Sequence, residues 1–208
     1  MKILILTNYA NGLYLFRKEL LQTFAEDGHK VYVSLPPDEN ADKLKGLCRI
    51  IKTPFDRRGV NPVKDLGLFM AYLRMIRKRK PDVVLTYTIK PNLYGGLACR
   101  IKKVPYLCNV TGLGTAIESG GLLSKILLRF YSVSMKGARR VFFQNMRNRD
   151  FMNKNGIALE NNALLPGSGV NLTEHPLREY PAEEKNVRFL AVIRIMKDKG
   201  IEEYLEAA

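Results

Sequence analysis

Tryptophan is absent from the 208 residues, histidine occurs twice, at His29 and His175, and cysteine three times, at Cys48, Cys99 and Cys108. Ser-His-Asp triads, Cys-His pairs and histidine-rich metal centres therefore have almost no material to be built from. An odd number of cysteines with no Cys-x-x-Cys spacing argues against a disulfide framework and for reduced thiols in a cytosolic setting. There is no Asp-x-Asp pair to anchor a metal-bound diphosphate, and no Gly-x-Gly-x-x-Gly turn for a dinucleotide. No run reaches about 18 apolar residues, so nothing reads as a bilayer-spanning helix. The apolar start at Lys2–Leu6 is interrupted by Asn8 and Asn11 before a secretory h-region is complete. Negative charge is scarce as well, with 20 Asp+Glu against 34 Lys+Arg and a formal net charge of +14. Such a potential draws phosphates, anionic lipid or nucleic acid from solution.

What is present is an alternation. Hydrophobic residues make up 46% of the chain, ample for a buried core. Short β-branched or leucine-rich runs predict strands near 2–7, 30–35, 48–53, 82–88, 105–110, 140–144 and 162–165. Stretches of helical period fall between them, at 12–27, 39–46, 62–79, 91–103, 121–137 and 146–155, with Pro62 and Pro91 in first turns and Gly28 and Gly156 closing helices. This βαβα order predicts an α/β fold with a mostly parallel, doubly wound, Rossmann-like sheet over residues 1–165. Periodicity then dissolves into a Pro-, Gly- and charge-rich stretch, read as an interdomain linker over 166–186. A fresh apolar strand opens at Val187 and a helix at Ile201, the first βα unit of a second domain over 187–208, so the chain reads as cut off inside that domain.

Several loops carry groups suited to ligands. Thr7 to Tyr14 leave the first strand with polar side chains around Asn11 and Gly12, at the sheet edge where open α/β folds bind ligands. Tyr87 to Gly96 place Lys90 and Asn92 at a helix start, with Gly95 one turn in, a corner that suits a phosphate. Asn109 to Thr115 leave the fifth strand with Thr111, Gly112 and Gly114. The turn Gly167-Ser168-Gly169 can cradle a phosphate with backbone N–H groups. Arg194, at the end of the Phe189–Ile193 run, and Lys199, just before a helix, bring two cations to one helix mouth, the geometry of a diphosphate clamp; Lys197 lies between them. Each loop also has an ordinary explanation, since βα turns, helix starts and linkers need glycine and polar residues without any ligand.

Two cationic clusters stand out. One, Arg74, Arg77, Lys78, Arg79 and Lys80, ends the helix over 62–79, where positive charge favours the helix dipole anyway. The other lies on 121–137, where Lys125, Arg129 and Lys136 share one side and Leu122, Leu123, Ile126, Leu127, Phe130 and Val133 another. An apolar stripe of this kind is expected to pack into the core. The pair of clusters and the overall charge also point to an anionic membrane surface.

The run NYANGLYLFRKEL, the Lys90-Pro91-Asn92-x-x-Gly95 corner, the Gly112-Leu113-Gly114 loop, Phe142 to Asn145, the Gly167-Ser168-Gly169 turn and Arg194-x-x-x-x-Lys199-Gly200 together resemble family 4 glycosyltransferases of the two-Rossmann (GT-B) type. They are most similar to the branch acting on polyprenyl-diphosphate sugars. Ile89 departs from the pattern, standing where many relatives carry histidine. The resemblance implies a retaining transferase, working without metal or other cofactor, that moves a sugar from a nucleotide-diphosphate-sugar donor to a lipid-linked or saccharide acceptor during glycan assembly. It implies that Arg194 and Lys199 stabilise the departing diphosphate, and that Glu118 is available to a sugar hydroxyl or as a base. It further implies that Asn11, Gly12, Lys90, Asn92, Gly95, Thr111, Gly112, Gly114, Gly167, Ser168 and Gly169 line the substrate cleft. The expected location is cytoplasmic, peripheral on the inner face of the membrane, and the 208 residues alone are expected to be inactive for want of a complete donor domain. A membrane-recruiting acceptor subunit of a split transferase remains open as an alternative. A basic nucleic-acid-binding protein is a weaker one, because no recognition module supports it and no nucleic acid is expected as partner.

Overall fold

A computed structural model describes residues 1–56, 59, 61–118, 120–180, 188–193, 195 and 197–207. The apolar runs form β1 (Lys2–Leu6), β2 (Lys30–Leu35), β3 (Arg49–Lys52), β4 (Val83–Tyr87), β5 (Tyr106–Val110), β6 (Arg140–Phe143) and β7 (Asn162–Leu164). All pair in parallel in one seven-stranded sheet of order β3-β2-β1-β4-β5-β6-β7. Both faces of a parallel sheet must be covered, and β1 shows how: alternate residues feed opposite cores. Leu4 and Leu6 join Tyr72, Tyr106, Tyr131 and Phe143 on one face. Ile3 and Ile5 join Leu13, Leu21, Val33 and Leu44 on the other. Each such side chain contributes roughly 1.5–3 kcal/mol by burial.

Helix α1 (Ala10–Glu26) and a short 3-10 helix over Glu39–Leu44 cover the second face. The first face is covered by α2 (Pro62–Arg79), a π-turn over Pro91–Gly95 running into α3 (Gly96–Lys102), the one-turn α4 (Thr115–Glu118), α5 (Gly121–Met135) and α6 (Met146–Lys154). Helix α2 starts where its sequence says it should: the Asn61 side chain accepts from the N–H groups of Val63 and Lys64 at 3.0 and 3.1 Å, and Pro62 fills the first turn.

Helix α5 departs in part from expectation. Leu127 and Phe130 of the apolar stripe pack against the core, but Leu122, Leu123, Ile126 and Val133 are exposed, while Ser124, Tyr131, Ser134 and Met135 face inwards. The serines turn inwards because they satisfy carbonyls there: Ser124 Oγ donates to Ile117 O at 3.0 Å and Ser134 Oγ to Leu93 O at 2.8 Å. Their small size also lets the helices approach closely, since a Cβ on Gly96 would sit 2.9 Å from Ser134 O.

The chain divides into two compact units, Met1–Gly169 and Val170–Ala208. In the second unit the strand expected from Val187 is not formed among the described residues: 188–193 are irregular and exposed. A parallel strand draws its stability from flanking strands that satisfy its N–H and C=O groups, and among the described residues no strand pairs with this run. A 3-10 turn at Lys197–Lys199 and helix α7 (Ile201–Ala207) follow. Among the described residues no helix is long and apolar enough to cross a membrane.

Candidate functional site

The strand order reverses between β1 and β4, so the loops leaving their carboxyl ends diverge and open a crevice there. A cleft of about 350 Å³ occupies it, lined from β1 and α1 by Thr7, Tyr9, Gly12, Leu13, Phe16 and Arg17, from β4 by Tyr87 and Thr88, and further along by Thr111, Gln144 and Ser168. Thr88 and Thr111 also line an adjoining recess of about 240 Å³ with Asn8, Phe55, Ile89, Lys90, Gly112 and Gly114. Arg17 brings positive charge to the larger cleft, its guanidinium 5.5 Å from the Tyr87 ring centroid. Burial holds the Tyr87 phenol above its ordinary range, opposed in part by that guanidinium. The Tyr9 ring lies over Gly12, where an added Cβ would come within 2.1 Å of it; a side chain at position 12 would displace the ring from the cleft wall.

Thr88 is the conspicuous residue of the site. Its φ of 72° is in the left-handed region, which costs a β-branched residue about 1–3 kcal/mol. Its buried Oγ1 has no protein partner, and neither does the buried Oδ1 of Asn8 in the same recess. Two unpaired oxygens beside the Phe55 and Ile89 side chains form a surface with hydrogen-bonding groups on one side and apolar groups on the other. A pyranose offers the same division between hydroxyl edge and C–H face.

The Lys90 corner is built differently from the sequence expectation. Lys90 Nζ is 2.5 Å from Asp65 Oδ1, both side chains largely buried, and Tyr94 OH donates to Asp65 Oδ2 at 3.0 Å. The ammonium is therefore neutralised by a carboxylate rather than presented bare to a phosphate. Burial, then the neighbouring Asp65, pushes the Tyr94 phenol up to about 12. Asn92 is not a ligand-facing residue: it is buried, its Oδ1 accepts from Thr86 Oγ1 at 2.6 Å, and its Nδ2 donates to Asn109 O at 2.9 Å. Asn109 Nδ2 returns a bond to Thr86 O at 3.3 Å, so this network ties β4, β5 and the π-turn at the edge that carries the cleft. Gly95 is a packing residue, because a Cβ there would lie 2.6 Å from Leu6 Cδ1.

The remaining expected positions scatter. Gly12, Thr111 and Ser168 line the cleft, and Gln144 Nε2 donates to Ser168 Oγ at 3.4 Å. Gly112 and Gly114 line the recess. Asn11 sits outside the lining and accepts from Lys43 Nζ at 3.1 Å. Gly167 and Gly169 take positive φ of 79° and 75° in the turn around Ser168. Helix α4 ends at Glu118, whose side chain lies outside the described residues, as does Arg194. Lys199 belongs to the exposed 3-10 turn of the second unit, where Lys197 pairs with Glu202 at 3.0 Å. Sequence reasoning missed Asn8, Arg17, Tyr87, Thr88 and Gln144. Four of them had a readable signal, namely a place at or just beyond a strand end, or about one turn after Gly12 for Arg17. The left-handed backbone of Thr88 had none.

Solved structures share this fold. A glycosyltransferase from Rickettsia africae superposes with a TM-score of 0.61 at 16% identity, over 84% of this chain and 45% of that one. Anabaena HepE, crystallised with UDP and glucose, does so with a TM-score of 0.60 at 15% identity, over 83% and 46%. Residues 2–145 match the model for glycosyl transferase 4-like proteins, and the chain belongs to that family. It is 27% identical over 227 aligned residues to the N,N'-diacetylbacillosaminyl-diphospho-undecaprenol alpha-1,3-N-acetylgalactosaminyltransferase of Campylobacter jejuni, covering all of this chain and 60% of the relative.

Proposed function

We propose that this chain carries the acceptor-binding part of a retaining glycosyltransferase that moves a sugar from a nucleotide-diphosphate donor to a lipid-diphosphate-linked sugar. The observation that carries the reading is the cleft and adjoining recess where the strand order reverses, lined by a guanidinium and by unpaired hydrogen-bonding oxygens. The family match and the acceptor named in the Campylobacter relative support it. Arg17 receives the acceptor's diphosphate as a charge-assisted partner. Asn8 and Thr88 bind hydroxyls of the sugar attached to it, while Phe55 and Ile89 cover its apolar face. The strain held at Thr88 keeps its hydroxyl aimed before the acceptor arrives, which lowers the ordering cost of binding.

Residues 166–186 then link this domain to the start of a nucleotide-sugar domain, and Arg194 and Lys199 offset the negative charge that develops on the departing nucleoside diphosphate. No metal is required when cations take that role. The place of action is the cytoplasmic face of the membrane, peripherally, with no nucleic acid as partner.

Titrating this chain with a short-prenyl diphosphate sugar tests the acceptor half. Saturable binding is expected, weakened about tenfold by Thr88→Val or Arg17→Ala, the cost of one unmade hydrogen bond to a charged or buried group. If both variants bind as tightly as the parent chain, the cleft is not the acceptor site. Turnover with nucleotide-sugars is expected to be negligible for these 208 residues alone.

A further inference from the structure

We infer that the recess beside the cleft is a charge filter: it accepts an uncharged sugar and refuses one bearing a carboxylate or phosphate, and Asp65 is the residue that sets this specificity. The inference rests on the reading that an acceptor sugar occupies the recess, and it adds which class of sugar fits.

Asp65 lies on α2 and acts through Lys90. Among the described residues that line the recess, Lys90 is the sole charged one, and a bare ammonium there would draw an anion. Asp65 Oδ1 stands 2.5 Å from Lys90 Nζ, and the two side chains are only 10% and 13% exposed. A pair this close presents a dipole, whose field fades with distance faster than that of a single charge. The carboxylate is also held from its other side. Tyr94 OH donates to Asp65 Oδ2 at 3.0 Å, and the Tyr94 ring meets Phe130 edge to face with centroids 5.2 Å apart. Asp65 therefore stays on Lys90 and keeps its charge cancelled.

The rest of the lining points the same way. Asn8 Oδ1 and Thr88 Oγ1 are buried without protein partners. An amide oxygen can only accept, so Asn8 asks for a donor, which a sugar hydroxyl has and a carboxylate lacks. Phe55 and Ile89 offer an anion nothing, and the tip of Ile89 is close to Gly114, where an added Cβ would lie 2.9 Å from Ile89 Cδ1. A carboxylate seated here would give up its water and gain no free cation in return. Arg17 belongs to the larger cleft, so negative charge on the acceptor is received there and its uncharged sugar edge turns into the recess.

Three ligands on one short-prenyl diphosphate carrier test this: a hexose, its uronic acid, and its uronamide, which has the acid's shape without the charge. In isothermal titration the parent chain should bind the uronate about tenfold or more weakly than the uronamide. Asp65→Asn keeps the shape and leaves Lys90 unpaired, so it should shrink that ratio about tenfold. Asp65→Asn with Lys90→Gln is neutral again and should restore it. A merely structural pair would weaken both ligands together and leave the ratio fixed. Thermal melts report whether Asp65→Asn is folded, and the parent and double-variant ratios decide the matter if it is not. Equal binding of uronate and uronamide by the parent, an unchanged ratio in folded Asp65→Asn, or a ratio lost in the double variant would each overturn the filter. So would refusal of the uronamide while the hexose binds, since selection would then be by shape. In all these cases hexose binding leaves the acceptor reading in place. Failure of the hexose itself to bind would overturn that reading, and the filter with it.

Discussion

Ile3–Leu6 and Phe189–Ile193 are both short, wholly apolar runs, and they end in opposite states. In β1 every residue from Ile3 to Leu6 is at most 3% exposed, because β2 and β4 flank it and helices cover both faces. In the second run Phe189, Leu190 and Val192 are 82–88% exposed, with no strand beside them among the described residues. Hydrophobic pattern therefore states a capacity to be a strand; neighbours decide whether the capacity is used.

The sharpest way to break this contrast is a matched pair of truncations. Leu6→Ala should destabilise the first unit by about 2–5 kcal/mol in denaturant melts, whereas Val192→Ala should fall within about 0.5 kcal/mol of the parent. Comparable losses would mean that the second run is packed after all. Next in size is Asn92→Ala, which leaves Thr86 Oγ1 and the Asn109 carbonyl without their buried partner and should cost about 1–3 kcal/mol, with no counterpart in the second unit. A loss confined to ligand binding, with stability unchanged, would return Asn92 to the substrate cleft. The smallest effect concerns the thiols, all of them in the first unit. Burial pushes Cys108 up to about 12 and Cys48 to about 11 from an ordinary 9.0. The folded chain then holds protons that the unfolded chain releases, so their contribution is complete below pH 9 and lost as pH rises from 9 towards 12. Thermal melts should be insensitive to this term at neutral pH and fall across that window, and alkylation at pH 8 should be slow until the chain unfolds.

The seven strands of the first unit were legible to within a residue or two, because parallel strands buried on both faces leave dense, short apolar runs. Helix α2 was legible to the residue through Pro62 and its cationic last turn. The outward turn of α5 was not, since Leu122 and Ile126 carry the same period whichever way they face. What decides it is the pairing of Ser124 and Ser134 with carbonyls distant in sequence. The site was half legible for a related reason. Loops at strand ends could be named, but whether Lys90 meets a ligand or Asp65, and whether Asn92 meets a sugar or Thr86, depends on partners brought near only by the fold.

The Asp65–Lys90 pair joins α2 to the corner that walls the recess. Deleting either charge strands the other where little water reaches, at about 3–5 kcal/mol, whereas exchanging both together for well-packed apolar residues is close to neutral. The two positions are thus locked in mutual dependence: a lineage can keep both or replace both, and single steps between those states pass through a weakened protein.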